Sequence, residues 1–336
     1  MSANSSTTSS KAGFRGARSY VAWFFAISAL LIALAYGVRF TYLADIAPQF
    51  TGNASLDQKL LFIRNGDFGG KPLALVVGSS MALNNIDADL LQKAEGIRAI
   101  NAGVWDIGLK QSVDLAAQLS DLYDVRELTL VVQFFEMTDE RNTSGTVAAD
   151  DLRSYLARDL WMDVERPFDI AGALSTKWDW NGDYGNPNSY MYLKFTETGS
   201  VPLPLDRAHI DRERWSPSQR FSSHCDGCLL PIVRICEAAV KRHVPFTVVM
   251  PPLTHFYRAD RPDAARLYER RRRELAAMVS GCGGRLFDVE RYADFDDACF
   301  VDFSHLSSRG VRSMTDLLIA WKRGLPASPR RHVRCD

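Results

Sequence analysis

A serine hydroxyl is a weak nucleophile unless a base takes its proton and a third group orients that base. Residue types for all three roles occur at two points in this chain. Leu73-Ala-Leu-Val-Val-Gly-Ser-Ser80 is a short apolar run that stops at two hydroxyls. It reads as a buried parallel strand ending in a tight turn. Asp302-Phe-Ser-His305 sets a carboxylate and an imidazole three residues apart, just before an amphipathic last helix. Of the six histidines, only His305 both has an acid at that spacing and follows the last predicted strand. Ligands of open α/β sheets bind at the carboxyl edge of the strands, and both stretches fall there. Each alone has a plainer reading. Ser79 and Ser80 could be a helix cap, and Asp302 with His305 a loop salt bridge. Both together, in this order and about 225 residues apart, point to Ser80 as nucleophile, His305 as base and Asp302 as orienter.

The elements that must position these groups follow from periodicity. Apolar runs of strand length recur at Leu73–Gly78, Ile97–Asn101, Leu128–Phe135, Pro245–Met250 and Gly284–Val289. Helical patterns lie between them. Asp87 can cap a helix through Leu90 and Leu91, and Gln111–Leu122 spaces Val113, Ala116, Leu119 and Leu122 near a helical period. Leu229–His243 and Ala264–Val279 are also helical, the latter with Arg270-Arg-Arg-Arg273 as a solvated face or a contact for anionic lipid or glycan. Ser307 or Ser308 caps a closing helix striped by Val311, Met314, Leu317, Leu318 and Trp321. The alternation implies right-handed crossovers and a parallel sheet with helices around it. Residues 138–222 break the pattern. They hold Trp161, Trp178, Trp180 and Trp215 and the turn-rich stretch 181–188. That insertion is either a lid or substrate-binding element, or a packed subdomain whose tryptophans are core.

The chain has 336 residues, 46% hydrophobic and 24% charged, enough for a full core in one or two domains. Lys plus Arg and Asp plus Glu balance at 40 each, so nothing argues for nucleic acid as a partner. Tyr20–Val38 runs nineteen residues without a charge, just enough to cross a ~30 Å hydrocarbon layer. Lys11, Arg15 and Arg18 precede it and Arg39 alone follows closely, which puts the amino terminus in the cytosol and residues 40–336 outside. A cleaved signal peptide, with Ala33-Leu-Ala35 as its processing site, and a buried core helix are the alternatives. Residues 39–70 read as a connector, 71–325 as the α/β domain and 326–336 as a tail. The six cysteines, Cys225, Cys228, Cys236, Cys282, Cys299 and Cys335, allow fifteen full pairings in an oxidising compartment. Free thiols remain open, as does part of a zinc site at His224-Cys-Asp-Gly-Cys228, though no second ligand pair completes it. His224 and His255 have no acid at useful spacing and read as structural or surface residues.

Gly78-Ser-Ser80, Asn101-Ala-Gly-Val-Trp-Asp106 and Asp302-Phe-Ser-His305 together resemble the motif blocks of the SGNH (GDSL-like) hydrolase superfamily. The likeness covers about residues 71–325 and, with the amino-terminal anchor, is greatest to the membrane-anchored extracytoplasmic acyl-transfer branch. That resemblance implies a three-layer α/β/α sandwich on a five-stranded parallel, flavodoxin-like sheet. It also implies a Ser80, Asp302 and His305 triad, with oxyanion donors from Ser80, Gly103, Asp106 and Gln133. Asp106 stands where the family commonly has glycine, and Gln133 stands in for the family's asparagine; Ser79 replaces the acid of Gly-Asp-Ser. The expected activity is O-acyl transfer, most simply of acetyl, to or from a cell-envelope polysaccharide, without a cofactor or metal. A membrane-bound O-acyltransferase is the implied partner. The alternative is a non-catalytic envelope protein that binds glycan or such an acyltransferase.

Overall fold

Strand β1 (Leu73–Gly78) is apolar along its whole length because both of its faces are covered, and all six residues are buried. With β2 (Arg98–Asn101), β3 (Val125–Val131), β4 (Phe246–Met250) and β5 (Arg285–Asp288) it forms one parallel sheet, ordered β2-β1-β3-β4-β5. The computed structural model describes residues 10–47, 51–137, 149–157, 170–205, 227–260, 262–324 and 330–335. Alternate side chains of β1 enter two apolar clusters. Leu73, Leu75 and Val77 pack with residues of helices α2 (Ala54–Asn65), α5 (Leu109–Leu122) and α8 (Leu230–Lys241). Val76 joins residues of α3 (Ser80–Asn85), α4 (Ala88–Glu95) and the closing helix α10 (Ser308–Lys322). Asp87 caps α4 by accepting the N–H groups of Asp89 and Leu90, and Ser307 caps α10.

The chain departs from its sequence pattern in four places. Residues 39–70 are more than a connector, because Asn53 caps α2 and Leu56, Leu60 and Ile63 at helical spacing bury its inner face. Strand β3 stops at Val131 instead of Phe135. Gln133 N–H turns to the Glu136 side chain, and Phe134–Met137 coils into a 3₁₀ turn. The arginine run lies on α9 (Pro262–Gly281) but is not simply solvated. Arg271 is buried beside Glu274, and Arg272 pairs with Asp288 at 2.8 Å and Glu269 at 2.7 Å. Part of the tail folds too, since Arg331–Val333 pairs in parallel with Ala293–Phe295.

Disulfides Cys236–Cys282 and Cys299–Cys335 staple α8 to the end of α9 and the carboxyl terminus to the loop before Asp302. Cys228 is disulfide-bonded as well, so the free-thiol and zinc readings fail for the described cysteines. Helix α1 spans Ser10–Thr41, and its apolar stretch Ser19–Thr41 is long and apolar enough to cross a membrane. None of the most apolar window is buried, which removes the core-helix reading.

Candidate functional site

The loops that follow β1, β2 and β3, together with the Asp302–His305 loop beyond β5, build the site. Beyond β1, Gly78 adopts φ 148°, and a Cβ there would lie 2.5 Å from the Val131 carbonyl oxygen, so this turn requires glycine. Ser79 then caps α3 by accepting from Met81 N–H, which makes Ser80 the first helical residue. The plain capping role therefore belongs to Ser79, and the Ser80 hydroxyl is left for other work. Its Oγ is 2.9 Å from His305 Nε2. His305 Nδ1 is 2.7 Å from Asp302 Oδ2. Asp302 Oδ1 accepts the backbone N–H groups of Ser304 at 2.7 Å and His305 at 2.6 Å. Because the Asp302 carboxylate can only accept, the ring proton is assigned to Nδ1, which leaves Nε2 to accept from the Ser80 hydroxyl. Burial alone would raise the Asp302 carboxyl. The His305 ring, its backbone N–H and the Tyr190 hydroxyl together hold it below the ordinary carboxylate value.

Two positioning residues escaped the sequence reading. Asn85, wholly buried on α3, clasps the His305 loop from both sides. Its Nδ2 donates to the Ser304 carbonyl at 3.0 Å, and its Oδ1 accepts Leu306 N–H at 2.9 Å. The Ser80 helix and the His305 loop are thereby locked together. The second is Tyr190, which reaches in from the insertion. Its hydroxyl donates to Asp302 Oδ2 at 2.5 Å and lies 2.9 Å from His305 Nδ1. No spacing rule links residues 112 positions apart, so only the fold reveals this contact. Tyr190→Phe should cut turnover by about tenfold through kcat, since a charge-assisted hydrogen bond contributes about 1.5–3 kcal/mol. Steady-state kinetics with an activated ester checks it, KM remaining near the wild-type value.

The second loop follows β2. Asn101 is buried and donates to the carbonyls of Ala82 at 2.7 Å and Ile86 at 3.2 Å, so it holds α3 against the sheet. Its Oδ1 accepts Gly103 N–H at 2.9 Å. Gly103 is thus committed inside the loop and is not a free donor, a correction to its expected oxyanion role. A Cβ at Gly103 would lie 2.4 Å from Leu83 N, which explains the glycine. Asp106 is exposed and carries φ 51°, a left-handed conformation that glycine adopts at little cost. Asn53 and Ser55 at the start of α2 pin this loop through Trp105 O at 2.8 Å and Trp105 N at 3.0 Å.

The third loop follows β3. Gly78 and Val131 are register partners, so Ser80 and Gln133 each lie two residues beyond the same rung. The Gln133 Nε2 is buried and has no acceptor among the described residues. Beside it, burial pushes the Glu136 carboxyl up to about 7, against the pull of the Ser79 hydroxyl and Gln133 N–H. The residue is only partly buried as a whole, but its Oε1 is sealed from solvent. Between its unfolded value of 4.5 and about 7, the native state binds a proton that the unfolded chain releases. Stability should therefore fall as pH rises through that window, by on the order of 3 kcal/mol, and then level off. Glu136→Gln should remove the slope; urea midpoints at pH ~5 and ~8 in both proteins test this.

The insertion is partly packed and partly open. Leu193 and Val201 bury against Leu83 of α3, with Trp105, Trp180 and Tyr184 partly exposed around them. Trp178 is exposed, while Trp161 and Trp215 lie outside the described residues, as does His224. His255 does find an acid through the fold, with Nε2 2.9 Å from Asp294 Oδ1. Among the described residues no His, Cys, Asp and Glu cluster suits a metal ion.

No family model and no curated relative matches the chain. One solved crystal structure aligns over 77% of this chain and 99% of its own, at 10% identity and a TM-score of 0.33. That likeness is too low to carry an argument about fold or function.

Proposed function

We propose that this protein is a membrane-anchored SGNH-type serine acyltransferase or acylesterase that moves an acyl group, most simply acetyl, to or from a cell-envelope polysaccharide. The observation that carries the reading is the continuous hydrogen-bonded chain from Ser80 Oγ through His305 to Asp302 and Tyr190. The strand order and the helices packed into two apolar clusters suit the three-layer sandwich that the SGNH resemblance implies.

In the proposed reaction His305 Nε2 takes the Ser80 proton as Oγ attacks the acyl carbonyl. The imidazolium is stabilised by Asp302, whose negative charge Tyr190 and two backbone N–H groups keep in place. Ser80 N–H, a first-turn donor that α3 itself cannot satisfy, and Gln133 Nε2 are the candidate oxyanion donors. His305 then passes the proton to the leaving oxygen, and the acyl group stays on Ser80 as an ester. An acceptor hydroxyl attacks that ester with His305 again as base, which frees Ser80 and forms the product ester. The partly exposed rings of Trp105, Trp180 and Tyr184 flank the Asn101–Asp106 loop and offer stacking faces for a sugar.

For location, the positive charges before Ser19–Thr41 favour a cytosolic amino terminus and an extracytoplasmic domain. The disulfides suit the oxidising side of an inner membrane, that is, the periplasm or cell exterior. A membrane-bound O-acyltransferase is the proposed acyl source. The test uses the full chain in detergent with p-nitrophenyl acetate and acceptor oligosaccharides, read as nitrophenol release and acetylated product. Wild type should give both and Ser80→Ala neither. Equal activity in the two would sink the proposal, and tight glycan binding by a silent wild type would favour a non-catalytic envelope component.

A further inference from the structure

We infer that the insertion helix α7 (Ile170–Asp179) is a second membrane contact, with Trp178 and Leu174 seated in the interfacial layer of the same bilayer that holds α1. The inference rests on the anchor reading given above. Leu174 and Trp178 are one helical turn apart and so share a face, at 44% and 81% exposure. Exposure of this kind has no protein partner among the described residues, but its location supplies a different one. Lys177, the neighbour of Trp178, places Nζ 2.5 Å from Asp45 Oδ2 and 5.8 Å from the centroid of the Tyr42 ring.

Tyr42 and Asp45 are the outer end of the anchor. Asp45 follows Thr41, the last residue of the apolar span, by four positions, so it lies no more than about 14 Å from it. The chain also turns back at this point, since the N–H groups of Tyr42 and Leu43 donate to the Val38 carbonyl and Arg39 donates to the Ile46 carbonyl at 2.9 Å, which keeps Asp45 close to the end of the span and its polar layer. Tyr36, stacked on Phe40, and the exposed Phe40 and Tyr42 rings mark the same level as an aromatic belt. The junction is also fixed. Leu43 and Ile46 are wholly buried, and the Gln58 side chain of α2 accepts Ala47 N–H at 3.1 Å and donates to the Asp45 carbonyl at 2.8 Å. Helix α7 is thus tied to a rigid shoulder at the membrane exit, and its exposed Trp178 is a residue type that favours that layer. Continuity with the span singles out lipid as the occupant. Because the same insertion carries Tyr190 to Asp302, this second contact would set the height and tilt of the site over the bilayer.

The test exploits the positions of two tryptophans. Full-length protein is reconstituted in phosphatidylcholine–phosphatidylglycerol vesicles, with or without bromine near the glycerol end of the acyl chains. Wild type should be quenched by bromine. Trp23→Phe, which removes the tryptophan inside the span, should keep part of that quenching, and adding Trp178→Phe should abolish it. If Trp23→Phe alone abolishes quenching, the anchor stands and α7 is not in the bilayer. If the residual quenching survives Trp178→Phe, it comes from elsewhere and the assignment is overturned. Absence of quenching in wild type would remove the anchor, and the inference with it.

Discussion

Asp302→Asn should lower acetyl turnover by about 10³–10⁴-fold while leaving the protein folded. The loss follows from the ring tautomer. Asp302 Oδ2 accepts from His305 Nδ1 at 2.7 Å, which leaves Nε2 free to accept from Ser80. An amide can turn its NH₂ toward Nδ1, and the proton then moves to Nε2, where it blocks the base. The backbone donors to Oδ1 from Ser304 and His305 can be kept by the asparagine carbonyl, so the loop should hold its shape. Acid stability separates the two proteins further. The folded Asp302 carboxyl lies below its ordinary value of 3.8, so its stabilising contribution is present above that value and is lost as pH falls through the folded one. Wild type should lose that contribution on acidification, and Asp302→Asn should not. Rates at neutral pH, with circular dichroism melts taken down to acidic pH, check both parts.

Asn85→Ala is the second large effect, and it acts on stability and geometry together. It strands the Ser304 carbonyl and the Leu306 N–H in a buried site, at about 1–3 kcal/mol for each group. A total loss of about 3 kcal/mol is expected, read as a lower urea midpoint with an unchanged slope. The same substitution unties the Ser80 helix from the His305 loop, so activity should fall by about 10²-fold under conditions where the variant is still folded. A misplacement of about 1 Å between reacting groups is enough for such a loss. Asn85→Asp should not rescue the stability, because one carboxylate oxygen would accept from Leu306 while the other faced the buried Ser304 carbonyl oxygen.

The sheet was legible because buried parallel strands are short apolar runs and the helices between them keep a clear period. All five runs became strands, with β3 shifted to Val125–Val131: it starts three residues earlier than the run and ends four residues earlier, where Gln133 N–H satisfies itself on Glu136. Ser80 and the Asp302–His305 pair carried the core of the site, since the two stretches follow different strands of one parallel sheet and so reach the same edge. What was not legible depends on contacts across long separations. Tyr190 meets Asp302 from 112 residues away, and Asn85 meets Ser304 from 219. The role of Gly103 was misread because its N–H goes to Asn101, a local choice that residue type does not announce. Helix α2 lies within the stretch that reads as a connector, although Asn53, Leu56, Leu60 and Ile63 carry an ordinary cap-and-stripe signal.

The central claim is that Ser80 becomes acylated with His305 as its base. Intact-protein mass spectrometry of the full chain, quenched in acid after brief exposure to p-nitrophenyl acetate, tests it most directly. Wild type should gain the mass of one acetyl group, mapped by peptide fragmentation to Ser80, and Ser80→Ala and His305→Ala should gain none. An acetyl adduct at other residues only, or one equally abundant in all three proteins, would contradict the account.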